Sequence, residues 1–192
     1  MRLALIIEYE GTEYHGFQYQ ANASSIQEEL EKAVGRFTGE KSRVRGAGRT
    51  DAGVHAKGQV VAFDTTSRHS PETFMRGLNY YLPEDIAVKA AYRTCGAFDP
   101  RRMATRRRYR YTFDCGPTRS PLSRRTAYRI GQELNVRKMQ RSAGWFEGVH
   151  DYARFAGPLS GARAGTVRAI YEAKIRRDGD MMYFEVEGNA FL

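Results

Sequence analysis

Leu3, Leu5 and Ile7 occupy alternate positions and Tyr9 continues the same side, a two-residue period that predicts a β-strand entering a core from the N-terminus. Gly11 and Gly16 then bracket a loop. At Ile26, Leu30, Ala33, Val34 and Phe37 the period becomes that of a helix with one apolar stripe. Ser24 or Ser25 can cap it, with Gln27 or Glu28 three residues on. A short strand over 42–46, a glycine-punctuated loop over 48–53 and a second strand over 58–64 follow. Pro71 opens a helix through Tyr81 that Pro83 and Asp85 end, and residues 86–92 alternate as a further strand. Strand, helix, strand, strand, helix, strand is the ferredoxin-like order.

Around 97–105 the composition shifts to arginine and proline, which predicts a boundary between a unit at 1–100, carrying the glycine loop, and a second at 101–192. In the second unit residues 107–113 alternate as a strand. Val136, Met139, Ala143 and Phe146 mark a helix after Asn135, and strands over 166–176 and 181–187 flank a hairpin turn at Asp178-Gly179. Met139, Trp145 and Phe146 are expected in the core. The predicted fold is α+β: two ferredoxin-like units sharing a largely antiparallel sheet with helices on one face. The closing residues, Gly188-Asn189-Ala190-Phe191-Leu192, continue a strand apolar to its end, so the second unit is expected to lack its last helix and strand.

Charge adds a direction to this scaffold. Of 192 residues, 41% are hydrophobic and 12% aromatic, which excludes a disordered chain, and the formal net charge is +9. The basic residues are 25 Arg against 6 Lys. Arginine's planar fork binds phosphate bidentately and stacks on bases, so the bias favours a nucleic-acid partner over a merely basic surface. Ten arginines against the single acid Asp114 lie between Arg101 and Arg129, interleaved with Tyr109, Tyr111 and Phe113, and the rest of the chain is balanced. Phosphate contacts from that strip would give salt-dependent affinity largely indifferent to sequence. The apolar run from Leu3 to Ile7 is too short for a signal peptide or a membrane span, which predicts a cytoplasmic protein without membrane contact. Cys95 and Cys115 form no CxxC, and His15, His55, His69 and His150 lie at no ligand spacing, so neither a disulfide framework nor a metal site is expected.

The chemistry concentrates in Gly46-Ala47-Gly48-Arg49-Thr50-Asp51-Ala52-Gly53-Val54-His55-Ala56. Its glycines let backbone approach a ligand closely, and Arg49 and Asp51 set opposite charges two residues apart. A carboxylate presented there can act as a nucleophile, and a neighbouring guanidinium would favour its ionised form. An Asx-turn role for Asp51 and a local salt bridge for Arg49 are the structural alternatives. His55 is expected to pack beside the loop.

The string GRTDAGVHA resembles the signature of the tRNA pseudouridine synthase A family. Further segments agree in the same order: Glu8-Tyr9-Glu10-Gly11-Thr12, Tyr14-His15-Gly16-Phe17-Gln18, Ser25-Ile26-Gln27, Gly58-Gln59-Val60-Val61, Phe98-Asp99-Pro100-Arg101, Arg108-Tyr109-Arg110-Tyr111 and Gly188-Asn189-Ala190-Phe191. The resemblance implies that Asp51 is the nucleophile of a uridine-to-pseudouridine isomerisation in the anticodon stem-loop of tRNA, at positions 38 to 40 of that RNA, with no cofactor and no metal. It implies that Arg49 holds the target nucleotide out of the stem and that Tyr109 packs on the target uracil. It also implies RNA contacts at Phe98, Asp99, Pro100, Arg101 and Arg102, and at Leu159, Ser160, Gly161, Ala162 and Arg163, with Arg101 the foremost phosphate contact, on a homodimeric enzyme. Family members carry a further helix beyond the Asn189-Ala190-Phe191 strand whose basic residue pairs with the carboxylate, so the resemblance implies weak or absent activity for these 192 residues alone. The competing reading is a non-catalytic RNA-binding protein on ferredoxin-like units. A glycosidase using the same carboxylate would instead release free uracil.

Overall fold

The strand β1, Arg2–Tyr9, buries Leu3, Leu5, Ile7 and Tyr9 on one side, as its alternation dictates. This is a computed structural model describing residues 1–156 and 165–192. The chain forms two compact units, Met1–Ala104 and Thr105–Leu192.

In the first unit β1 is followed by α1 (Ile26–Thr38), β2 (Arg45–Gly46), β3 (Ala56–Asp64), α2 (Pro71–Tyr81) and β4 (Ile86–Thr94). The sheet order β2-β3-β1-β4, with β1 antiparallel to β3 and β4, is the ferredoxin-like arrangement. Ser25 caps α1 by accepting a hydrogen bond from the Glu28 amide, and Ser70 caps α2 through Thr73 with Pro71 at the first helical position. Both helices pack on the buried face of β1: Ile26, Leu30, Val34, Phe74 and Leu78 join Leu3, Leu5 and Ile7 in one core. Each fully buried side chain of this kind stabilises by about 1.5–3 kcal/mol. The strand expected over 42–46 is only two residues long as a ladder, because pairing to β3 covers only Arg45↔Ala62 and Gly46↔Val61.

The second unit carries β5 (Arg107–Asp114), β6 (Tyr128–Arg129), α3 (Val136–Gly144), β7 (Gly148–Asp151), a 3-10 turn (Ala153–Phe155), β8 (Val167–Asp178) and β9 (Met181–Gly188). Its sheet order is β6-β5-β9-β8-β7, in which β5, β9 and β8 repeat the spatial order of the first three ferredoxin-like strands. Gln140 ties α3 to β8 by donating to the Ala173 carbonyl (3.1 Å) and accepting from the Ile175 amide (2.7 Å).

The fold is α+β as expected, with three differences of detail. The described strands pair as two sheets, not one common sheet, because β4 bonds only to β1 whereas β5 bonds to β6 and β9. The hairpin loop is Gly179-Asp180, one residue later than expected, since Asp178 is itself paired with Met181. Trp145 is 81% exposed, not core: α3 ends at Gly144, so Trp145 caps the helix and leaves its apolar stripe, while Met139 and Phe146 pack inward. No helix among the described residues is long and apolar enough to cross a membrane.

Candidate active site

The chain leaves β2 at Gly46 and rejoins the sheet at Ala56, and the segment between carries Arg49 and Asp51. Backbone and side-chain hydrogen bonds hold this loop along its length. The Ala47 amide donates to the Val60 carbonyl (2.8 Å), and Gln59 donates its side-chain amide to the Gly48 carbonyl (2.7 Å). At Thr50 the carbonyl accepts from the Phe17 amide (2.9 Å), and the hydroxyl shares a 2.9 Å bond with the buried Tyr9 hydroxyl. Beyond Asp51, the Gly53 amide donates to Tyr14 and the Val54 amide to Asp51 itself (both 3.2 Å). The residue before the carboxylate is therefore fixed from two directions, and the residues after it close a turn on it.

The segment 11–18 is the clamp on the other side. Gly16 adopts φ +95°, and a Cβ there would sit 2.7 Å from the Thr50 carbonyl oxygen and 3.3 Å from the Asp51 carbonyl carbon. At Gly11 a Cβ would fall 2.1 Å from the Val54 oxygen. Both positions demand glycine because two backbones pass without room for a side chain. Tyr14 anchors the clamp by donating a 2.7 Å hydrogen bond to Asp85, and burial together with that bond pushes its hydroxyl well above the usual tyrosine range. His55 accepts a 3.0 Å bond from the Gly11 amide at Nδ1, which makes it a support of the loop, as expected.

Held by this frame, the Asp51 and Arg49 side chains are both exposed. Neither structural alternative is found: no ion pair joins them among the described residues, and among these the carboxylate makes none of the side-chain bonds of an Asx turn. A rigid backbone with a solvent-facing carboxylate suits a nucleophile waiting for substrate.

The remaining expected site residues divide. Asp99 accepts from the amides of Arg101 (2.9 Å) and Arg102 (3.0 Å), and these bonds, that of Arg102 foremost, hold its carboxyl below the usual range. It builds the turn that displays Arg101 and Arg102, both exposed, while Pro100 is buried and Phe98 gives its carbonyl to Arg2 (2.9 Å). In the second unit Tyr109 is 37% exposed and stands edge-on to Phe191, ring centroids 4.9 Å apart. Leu159, Ser160, Gly161, Ala162 and Arg163 lie outside the described residues.

The arginine strip is less free than its local count suggests. β5 lies antiparallel to β9 with Arg108 opposite Glu187 and Arg110 opposite Glu185. Glu187 pairs with Arg106 (2.9 Å) and Arg108 (2.8 Å), and Glu185 with Arg110 (2.5 Å). The acids lie some seventy to eighty positions along the chain from the arginines they neutralise, beyond any local charge count. Nor did the sequence single out the supports of the Asp51 loop, Tyr14, Asp85 and Gln59, as acting on it; Tyr14 and Gln59 stood only in segments of the family resemblance, and Asp85 only as part of a helix stop.

Comparison with known proteins bears on the same residues. The family model described as tRNA pseudouridine synthase matches residues 5–98, which run from within β1 through β4 and include the Asp51 loop. A tRNA pseudouridine synthase A of Geobacter sp. (strain M21) is 43% identical over 190 residues, covering 99% of this chain and 76% of the relative. Those of Roseiflexus castenholzii, 45% identical over 195 residues and covered to 71%, and of Thermoanaerobacter sp. (strain X514), 38% identical over 188 residues and covered to 77%, match as fully along this chain. With relatives 43% and 45% identical, each covering 99% of this chain and itself covered to 76% and 71%, the chain belongs to the tRNA pseudouridine synthase A family of isomerases.

Proposed function

We propose that the protein converts uridine to pseudouridine in the anticodon stem-loop of tRNA, at positions 38 to 40 of that RNA, with Asp51 as nucleophile. The observation that carries this reading is the exposed Asp51 carboxylate, without an ion pair among the described residues, on a backbone pinned at Thr50 by Phe17 and Tyr9. The carboxylate attacks the target nucleotide at C6 of the base or C1′ of the sugar, and the N1–C1′ bond breaks. The base turns, C5 bonds to C1′, the bond to the Asp51 carboxylate breaks so that the free carboxylate returns, C5 loses its proton and N1 gains one. Atoms are rearranged without net gain or loss.

A base stacked in a stem must leave it before its sugar can be reached. Arg49, exposed two residues from Asp51 and without an ion pair among the described residues, holds the extruded nucleotide by its phosphate or fills the gap it leaves. Tyr109 packs on the target uracil and assists proton transfer at C5. The turn at 98–102 contacts the RNA backbone through Arg101 and Arg102, with Asp99 shaping the turn. Leu159, Ser160, Gly161, Ala162 and Arg163 supply a second RNA contact, and the working form is a homodimer.

Release of tritium from tRNA labelled at uridine C5 tests the reading. The wild-type chain is expected to release tritium, and Asp51→Ala to release none above background while still binding tRNA. Release of free uracil, or release that survives Asp51→Ala, would overturn it.

A further inference from the structure

The segment Lys41-Ser42-Arg43-Val44-Arg45 leads directly into β2 and the Asp51 loop, and the functional reading above leaves it unused. Its alternation is sharp: Lys41, Arg43 and Arg45 are exposed, whereas Val44 is buried at 2% and Ser42 is half-buried. Alternate residues of an extended segment stand about 6.6 Å apart on one side. Three cations at that pitch match the run of phosphates along one nucleic-acid strand.

The surroundings favour an extended polyanion. Lys41, Arg43 and Arg45 line an open cleft of about 550 Å³ together with Met1, Glu40, Asp64, Thr65 and Thr66. Its two carboxylates are already engaged, Glu40 by the Thr66 amide (3.1 Å) and Asp64 by Arg2 (2.7 Å). Arg43 keeps one 3.3 Å ion pair with Glu31, but the Lys41 and Arg45 side chains make no hydrogen bond or ion pair among the described residues. A second hollow shares Arg43, Arg45 and Asp64 with the first and is completed by Phe98 and Pro100, beside the turn that displays Arg101 and Arg102. Arg45 also acts electrostatically on both Asp64 and Asp99. The cationic surface is thus continuous within one unit, from Lys41 through Arg45 to the 98–102 turn.

We propose that Lys41 and Arg45, with Arg43 between them, form a phosphate track for an RNA strand that runs from the cleft to the 98–102 turn. The track rests on the reading of RNA as the substrate. It acts in binding and touches no reacting atom.

The test uses the full chain and its Lys41→Ala/Arg45→Ala double variant, with tRNA affinity measured between low and moderate salt and turnover measured in parallel. Each neutralised phosphate contributes about 0.7 to the slope of log affinity against log salt for a single strand, so the double variant should lose about 1.4. KM should rise about tenfold with kcat unchanged, and Arg45→Lys should restore most of the affinity. Arg36→Ala on α1, which removes one exposed cation away from the cleft, is the control and should leave the slope unchanged. An unchanged slope in the double variant, a loss equal to that of Arg36→Ala, or a fall in kcat without a rise in KM would each overturn the track. Displacement of RNA by inorganic phosphate at low millimolar concentration would assign the cleft to a small anion and overturn it as well. If the wild-type chain binds tRNA without isomerising it, the catalytic reading fails while the salt slope still decides the track.

Discussion

Gly16→Ala is the sharpest perturbation of the loop frame. The new Cβ would sit 2.7 Å from the Thr50 carbonyl oxygen, about 0.7 Å inside ordinary contact, and 3.3 Å from the carbonyl carbon of Asp51. The opposing atoms are backbone, so no side chain can swing aside, and the Phe17–Thr50 hydrogen bond ties the two segments at the same point. Either the loop shifts or the clamp opens. A left-handed φ costs a non-glycine residue about 1–2 kcal/mol, and the overlap about 1–3 kcal/mol more. Displacing a catalytic group by ~1 Å costs about 10²-fold in rate, so kcat should fall about a hundredfold while tRNA affinity stays near wild type. Gly39→Ala separates the two effects. Gly39 has φ +75° with no atom within 4 Å of its Cβ position, so the substitution incurs the conformational cost without touching the Asp51 loop. Tritium release and thermal unfolding measured on both variants decide the matter. If Gly16→Ala turned over at the rate of Gly39→Ala, the claim that the 11–18 segment sets the position of Asp51 would be wrong.

Other outcomes follow from the same contacts. Tyr14→Phe removes the bond to Asp85 and should cost about 1–2 kcal/mol in thermal unfolding; unchanged stability would show that the anchor is idle. Arg108→Ala or Arg110→Ala should leave the salt slope of tRNA binding nearly intact, because their charges already meet Glu187 and Glu185, whereas Arg102→Ala should lower it by about 0.7; equal losses would contradict this division. Arg110 holds the Glu185 carboxyl low, and Arg106 with Arg108 does the same for Glu187. A depressed folded value adds stability above the unfolded carboxyl range, near pH 4.3, that is lost as pH falls through the folded value. Acid should therefore weaken the second unit in that window, and Glu185→Gln should blunt the effect in a pH series of thermal melts. Hydrogen exchange should be slower in the first unit's core, which among the described residues buries eighteen against five in the second, and faster exchange in β1 than in β9 would refute that ordering.

Periodicity and caps made the elements of the first unit legible, because Ser25 and Ser70 are local signals acting on amides three residues away. The glycine loop was legible as a site for the same reason: its residues are contiguous. What stayed hidden is non-local. The acids that neutralise Arg106, Arg108 and Arg110 come from β9 across a ladder, so a count over neighbours overstated the free charge of the strip. The Tyr9–Thr50 and Tyr14–Asp85 bonds join residues 41 and 71 positions apart, which no spacing rule encodes. Trp145 looked like core because it adjoins an apolar stripe, and the end of α3 one residue earlier turned it outward.

The most direct measurement of the central claim is the pseudouridine content of individual tRNAs, mapped by carbodiimide labelling after incubation with the wild-type chain and with Asp51→Asn. The substitution keeps the size of a side chain that faces solvent from a loop anchored elsewhere, so folding and tRNA affinity should be unchanged. Asp51 as nucleophile predicts new pseudouridine in the anticodon stem-loop with the wild type and none with Asp51→Asn; modification that persists in the variant would contradict it.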